Sequence, residues 1–499
     1  MAKGLLMDIS PMTDRVETNL RRLNPYWVGD PLPPLPTVKR WGFPIILQRL
    51  KTGLAKATVL RGPRQIGKST LVRQVIQTLL TEGVPPSHIL YVQFDELPTL
   101  LRLEEPILKI ADWFEKSILQ KPFNALAHEG KTAYLFFDEV QNLPDWAPQL
   151  KFLVDTSAIR VLVTGSSALR IEQGRDSLAG RISTLEMGPL FLWEIMAIRG
   201  DDNLKPFAPS NGLLPLKDRS FWDSLRQFGQ ENKALRDQAF TAFSERGAYP
   251  VAHTNPEVTW PELADQLNET VIRRAITHDL RLGPKGAKRD ERLLEQVFRL
   301  ACRYAGQSPR QPLYLEEIRE AMNANIGWQR ILAYLKFLDG TLLIRLIEPL
   351  ELRLKRQRSA YKLCLCDHAL RASWLQEVIP LHPEGLNEAS HLRDLAGHIA
   401  ESATGYFLST LPGIDLAHFP ERGAEPEVDF VMTIGEQRIP VEVKYRTRID
   451  FKETRGLRSF IEKSVYQAPF GLLITLDDQP ALDDPRIINI PLSTLLLMR

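Results

Sequence analysis

The sequence predicts an α/β protein built from several folded units, and three observations carry that expectation. Short apolar runs alternate with amphipathic helical stretches from Arg40 to about Thr164, the pattern of a parallel sheet covered on both faces. Three closely spaced helical patterns and two β-like runs follow between Leu293 and Cys366, and a last α/β stretch runs from about Leu392 onward. With 499 residues the chain is roughly three times a typical domain, enough for three or four units with cores of their own.

The elements follow in order. Asn24-Pro25-Tyr26-Trp27 and Pro31 to Pro36 concentrate proline, so residues 1–40 read as an extended arm, with Trp27 and Trp41 packing it down. In residues 41–195, strands are expected at Ala57–Leu60, Ile89–Phe94, Ala133–Phe137 and Val161–Thr164. Helices at Lys68–Leu80, Ile107–Leu119 and Ala147–Val154 connect them. Gly200 to Ala239 turns polar and reads as an insertion or helical lid within residues 196–285. Helices at Leu293–Tyr304, Leu315–Met322 and Trp328–Leu338 then lead to a β-like run at Leu342–Leu354. A basic turn and a return strand at Tyr361–Cys366 complete the order of a winged helix over residues 286–375. The final unit covers residues 385–499.

Composition excludes several classes. Hydrophobic residues make up 44% and charged ones 25%, with a net charge of +2, which argues against disorder. Three cysteines, Cys302, Cys364 and Cys366, cannot form a disulfide framework, and they read as buried core thiols. The most apolar stretch, Leu190 to Ile198, is short and carries Glu194, so no membrane span is expected. The N-terminus reaches Asp8 before a secretory apolar core develops, and the expected location is cytoplasmic. Nine scattered histidines give no zinc spacing.

Gly62-Pro63-Arg64-Gln65-Ile66-Gly67-Lys68-Ser69, followed by Thr70, fits the phosphate-binding pattern G-x-x-x-x-G-K-[ST] between a strand and a helix. Glycines let backbone N–H groups turn toward phosphate oxygens, and the helix N-terminus adds partial positive charge. Lys68 would reach the β- and γ-phosphates of ATP, and Ser69 would hold Mg²⁺. An apolar strand ending in Asp138 and Glu139 supplies the second half: Asp138 beside the Mg²⁺ shell, Glu139 polarising a water. The next strand ends in Thr164-Gly165-Ser166-Ser167. Thr164 or Ser166 could bond the γ-phosphate or the water, or cap the following helix.

These motifs, with Phe137-Asp-Glu-Val-Gln141, Leu178-Ala-Gly-Arg181, Gly188-Pro-Leu190, Glu194, Gly247-Ala-Tyr-Pro250 and Pro440-Val-Glu-Val-Lys444, resemble one family along nearly the whole chain. It is the prokaryotic AAA-type P-loop ATPase family whose members carry a C-terminal DUF4143 domain. The resemblance implies a P-loop ATPase core with a helical lid, a winged helix, and a restriction-endonuclease-like α/β domain. It also implies an arginine acting on the γ-phosphate from a neighbouring subunit: Arg181 by its Ala-Gly-Arg motif, with Arg175 as runner-up. A homo-oligomer, up to a hexameric ring, follows from that requirement.

Two further constellations point to a polyanion. Trp328–Leu338 would be the recognition helix, exposing Gln329, Arg330 and Lys336, and the wing tip would present Arg353, Lys355, Arg356 and Arg358 to phosphates. Asp429 and the pair Glu442 and Lys444 lie on two runs of one hairpin. Residues two apart on a strand share a face, so these form the Asp…Glu-x-Lys arrangement of nucleases that hold Mg²⁺ on acids beside a lysine. Glu401 on the preceding helix could complete the set. Glu-x-Lys is among the commonest exposed strand patterns, usually as a plain ion pair, and the fold can bind DNA without cutting it. The expected function is therefore an ATPase that couples hydrolysis to binding and remodelling of duplex or branched DNA, by translocation or branch migration. The alternatives are an ATP-gated, Mg²⁺-dependent endonuclease in genome defence and a nucleotide-dependent protein-binding switch.

Overall fold

The computed structural model describes residues 12–95, 100, 103–166, 178, 180–208, 215–279, 290–351, 360–421, 423, 425–478 and 484–499. They fall into two compact units, residues 12–62 with 67–187, and residues 63–66 with 188–279 and 290–499.

The first unit centres on a wholly parallel sheet of five strands: β1 (Ala57–Arg61), β2 (Ile89–Gln93), β3 (Ala133–Asp138), β4 (Ile159–Gly165) and β5 (Ile182–Glu186), in the order β2-β3-β4-β1-β5. Apart from β5 the strands are almost entirely buried, which is why they read as unbroken apolar runs. Helices α1 (Asp14–Leu23), α2 (Gly42–Thr52), α3 (Lys68–Thr81), α4 (Pro106–Phe114) and α5 (Trp146–Thr156) belong to the same unit. Because every pairing is parallel, all C-terminal strand ends lie along one edge. Phe137 registers with Val163, and Leu60 with Thr164, so β4 stands between the phosphate loop after β1 and the acids ending β3.

The arm departs from the extended expectation at its start. No proline falls between Pro11 and Pro25, which leaves α1 free to form and to bury Val16 and Leu20, one turn apart. Asn24 then acts as a substitute strand. Its side-chain amide donates to Tyr91 O (2.8 Å) and accepts from Tyr91 N (2.7 Å) on the edge strand β2. Trp27 Nε1 donates to Ile89 O (2.9 Å), and its ring packs on Trp113 and Phe114.

The second unit holds a mixed seven-stranded sheet, β12-β11-β10-β9-β8-β6-β7. Its strands are β6 (Ile344–Pro349), β7 (Lys362–Leu365), β8 (Asp415–Phe419), β9 (Val428–Ile434), β10 (Gln437–Lys444), β11 (Gly471–Thr475) and β12 (Ile487–Pro491). The polar stretch after Gly200 is not a peripheral insertion. It contains α6's successor helices: after α6 (Leu192–Ile198) come α7 (Arg219–Glu231) and α8 (Lys233–Arg246), whose Phe221, Trp222, Leu225, Phe240 and Phe243 enter the core beneath the C-terminal strands. Arg236 on α8 clamps Asp478 through two bonds of 2.8 and 2.7 Å. Polar residues on the outer faces of these helices dominate the composition there and conceal the apolar stripe.

Three helices follow, α9 (Glu291–Arg303), α10 (Gln311–Met322) and α11 (Trp328–Gly340), then the antiparallel pair β6 and β7. The expected boundary near residues 375–385 is not a break in the sheet. Glu348 and Pro349 of β6 pair in parallel with Ala417 and His418 of β8. Helices α12 (Arg393–Ser409) and α13 (Arg455–Glu462) flank the later strands.

Gly247-Ala-Tyr-Pro250 ties this unit together. Gly247 has φ +76°, and a Cβ there would meet Ala369 Cβ at 2.4 Å and Asp367 Oδ1 at 2.5 Å. The buried Asp367 carboxylate instead accepts from Ala248 N (2.6 Å) and Ala369 N (2.9 Å). His253, one turn on, bonds Gly247 O through Nε2 (2.9 Å), while its Nδ1 is buried without a partner. Burial pushes the imidazole pKa down to about 4. Below about pH 6.5 the unfolded chain takes up this proton and the folded chain does not, so stability present above pH 6.5 erodes until about pH 4. The expected loss is roughly 3 kcal/mol. The stability advantage of wild type over His253→Gln, measured by urea unfolding, should shrink steadily from pH 7 to pH 4.

Candidate functional site

The loop from Gly62 to Gly67 leaves β1 and opens α3, with Gly67 at φ +91°, a conformation that L side chains rarely adopt. Pro63, Arg64, Gln65 and Ile66 form the turn, and Thr70 lies in the first turn of α3. Lys68 is 4% exposed; its Nζ donates to Gly62 O (3.1 Å) and stands 3.7 Å from Glu139 Oε1. Asp138 is fully buried and ringed by hydroxyls. Thr164 donates to Oδ1, Tyr91 donates to Oδ2 (3.0 Å), and Ser69 also bonds the carboxylate. Burial, and after it the charge of Glu139, push the Asp138 carboxyl above the ordinary range.

Thr164 joins the two acids, since Glu139 N donates to the same Oγ1 (3.1 Å). Gln141 Nε2 donates to Glu139 Oε2 and to Ser166 Oγ (3.0 Å). The ends of β1, β3 and β4 therefore converge on one cluster of Lys68, Ser69, Asp138, Glu139, Thr164 and Ser166. Two adjacent buried acids with a hydroxyl on one of them suit a divalent cation, so this donor set fits Mg²⁺. Tyr91 and Gln141 were not expected from the sequence. Gln141, two residues beyond Glu139 in the same short motif, carried a readable signal, whereas Tyr91 lies on another strand.

A second cluster lies in the C-terminal sheet. Asp429 Oδ2 accepts from Val443 N (2.8 Å), and Glu442 pairs with Lys444 (2.7 Å), so β9 and β10 bring the three expected residues together. Glu401 of α12 joins them. At its centre, however, sits an unexpected residue: Lys362 of β7, 1% exposed, bonds Glu401, Asp429 Oδ1 (3.0 Å) and Asp429 O (3.3 Å). Burial opposes it, yet the Lys362 ammonium holds the Asp429 carboxyl down at about 2. Burial and the nearby Asp429 push Glu442 up to about 8. Among the described residues no group of three or more His, Cys, Asp or Glu side chains is placed to hold a metal ion. Asp429 and Glu442 thus do not fit the Mg²⁺ expected of them while Lys362 is in place.

Residues 54–196 match the AAA domain family AAA_14, and residues 405–495 match the domain of unknown function DUF4143. These two matches place an AAA-type domain and a DUF4143 domain within the chain. The chain is 21% identical over 400 residues to an uncharacterized protein of Haemophilus influenzae, covering 80% of this chain and 85% of that one. An uncharacterized protein of Methanocaldococcus jannaschii is 29% identical over 142 residues, and the match spans 28% of that protein's length. Among solved structures, the Walker-type ATPase of Pyrococcus abyssi aligns with a TM-score of 0.38 and 13% identity, covering 68% of this chain and 99% of that one. Cdc6p of Pyrobaculum aerophilum aligns with a TM-score of 0.26 and 14% identity, covering 67% and 92%.

Within the AAA domain, Arg181 lies far from the phosphate loop. It precedes β5, its carbonyl accepts from Ala57 N at the opposite end of β1, and its guanidinium pairs with Asp155 (2.6 Å). Arg175 lies outside the described residues, as do Arg353, Lys355, Arg356 and Arg358 of the expected wing tip. On α11, Gln329, Arg330 and Lys336 are exposed, with Arg330 at 3.2 Å from Asp290 Oδ2. In the DUF4143 domain Lys444 pairs with Glu442 and is partly exposed. No described helix is long and apolar enough to cross a membrane.

Thr164 positions both acids without being an acid itself. Thr164→Val should therefore lower ATP turnover at least about tenfold while leaving nucleotide affinity within about threefold. Steady-state kinetics beside a fluorescent-nucleotide titration read the two effects separately.

Proposed function

We propose that this chain binds Mg²⁺·ATP at the cluster around Lys68 and Asp138 and hydrolyses it. The observation that carries the reading is the convergence of Lys68, Ser69, Asp138, Glu139, Thr164 and Ser166 at adjacent ends of one parallel sheet. When bound, the magnesium ion would neutralise charge on the phosphate oxygens and acids. Lys68, folded back toward Glu139, turns to the β- and γ-phosphates as ATP fills the loop, and that motion releases Glu139 to orient a water. Gln141 and Thr164 hold Glu139 in place from side chain and backbone. Arg181 lies at the wrong end of its own sheet, so a γ-phosphate role for it requires a second copy of the chain, consistent with a homo-oligomer.

Turnover would be coupled to DNA, duplex or branched, through the three helices and paired strands read as a winged helix. The exposed Gln329, Arg330 and Lys336 on one helix face support this, with the basic segment at 353–358 following. A metal-dependent endonuclease is favoured by the meeting of Asp429, Glu442 and Lys444 and opposed by the ammonium of Lys362 among the acids. No plasmid cleavage with ATP and Mg²⁺ or Mn²⁺ is expected.

Lys68→Ala should abolish ATP binding, and Glu139→Gln should retain ATP while turning over about a hundredfold more slowly. Wild-type turnover in Glu139→Gln would remove Glu139 from its role. DNA binding with an ATP analogue should appear at low salt and fall steeply as salt rises, and Arg330→Ala should reduce the salt slope by about one. Absence of binding at low salt would favour the protein-binding switch.

A further inference from the structure

The acid cluster of the C-terminal sheet has four carboxyl groups, Glu401, Glu427, Asp429 and Glu442, and two lysines. Only Lys444 belongs to the strand pair that carries the acids. Lys362 comes from β7, the far edge of the seven-stranded sheet in strand order, and reaches back beneath α12 to the side chain and carbonyl of Asp429. Its Nζ lies within bonding distance of Glu401 and Asp429 and 3.9 Å from Glu427. Three oxygen donors from two acids and a carbonyl around one cation are the kind of set that holds a hard divalent ion. Here the cation is covalently part of the chain.

A buried ammonium needs a reason to be there. Desolvating a lysine costs several kcal/mol, and an apolar strand such as Lys362-Leu-Cys-Leu365 would gain by an apolar residue in that place unless the acids required a counter-charge. The Lys362 ammonium also lies 4.8 Å from the Phe430 ring centroid, so its stem and head are both fixed. On the open side, Glu442 and Glu427 line a cleft of about 400 Å³ together with Lys452 and Arg455, and Glu442 Oε2 is buried there without a partner. The cluster is therefore reachable from solvent on the Glu442 side and closed by Lys362 on the other.

We propose that Lys362 is a built-in replacement for a divalent cation, so that Asp429 and Glu401 meet a positive charge within the chain and take up no metal while that lysine is in place. This rests on the reading of the domain as nuclease-like in its arrangement and removes metal-dependent cleavage from what it does. The cluster then serves as a fixed ionic joint between β7, α12, β9 and β10. The adjacent cleft, with acids and bases on its wall, stays a polar surface without a metal.

The test uses Mn²⁺ alone, with the full chain and no nucleotide, followed by calorimetry and by thermal unfolding with and without metal. Any Mn²⁺ bound by wild type should be unaffected by Asp429→Asn, because the only sites are elsewhere, and the melting of the C-terminal unit should not respond to the metal through this cluster. Lys362→Met, which keeps the volume and removes the charge, should gain one Mn²⁺ site at least about tenfold tighter than anything the cluster offers in wild type, and should lose it again in the Lys362→Met/Asp429→Asn double variant. Its melting temperature, lowered by two unpaired buried acids, should rise with added Mn²⁺. A wild-type Mn²⁺ site abolished by Asp429→Asn would overturn the proposal, even if Lys362→Met does not fold. So would a folded Lys362→Met that gains no site. ATP turnover, read in parallel, reports the separate reading of the AAA domain, and its presence or absence leaves the metal result intact.

Discussion

A carboxylate taken out of water must find a counter-charge or give up its ionisation, and both clusters in this chain are organised by that requirement. In the AAA domain, Asp138 is fully buried beside Glu139, and the Lys68 ammonium stands 3.7 Å from Glu139. Hydroxyls of Thr164, Tyr91 and Ser69 make up part of the deficit. In the C-terminal sheet, Asp429 and Glu401 are buried against Lys362 at bonding distance. The difference is in how the lysine is held. Lys68 stems from a loop-to-helix junction and reaches a carbonyl of its own loop, whereas Lys362 stems from a strand and is bonded to groups far away in the chain. The first cation can be exchanged for a ligand's charge; the second is fixed.

The sheet orders explain why each cluster is where it is. With β4 between β1 and β3, one hydroxyl at its end can touch both acids of the neighbouring strand while the loop on its other side carries the lysine. In the second unit, the pairing of β6 with β8 draws the three-helix segment into the C-terminal sheet, and the chain return through β7 then delivers Lys362. An apparent border between two units is thus crossed by both backbone pairing and a buried ion pair.

What the sequence made legible was what is contiguous. The phosphate loop needs eight consecutive residues and a strand before it, so Gly62 to Ser69 could be read directly, and Asp138 and Glu139 followed from one apolar strand. Glu442 and Lys444 were readable for the same reason, being two apart on a strand. Lys362 was not, because its partners Glu401 and Asp429 lie 39 and 67 residues away and nothing local requires a charge in that run. The helices of residues 219–246 were hidden by their solvent faces. Helix α1 was masked by the prolines that come just after it. The parts of the expected DNA surface from Arg353 to Arg358 lie outside the described residues.

The amide of Asn24, bonded both ways to Tyr91, has a consequence for how copies of this chain can meet. Strand β2 is the rim of its sheet, and its outward backbone groups at Ile89 and Tyr91 are already satisfied by Asn24 and Trp27. A rim saturated in this way offers no ladder for a foreign strand to extend, which is the commonest route from a folded α/β protein to a templated aggregate. Along this rim a second copy can be met through side chains and not through a merged sheet. The proline-bearing arm is the stopper of that edge.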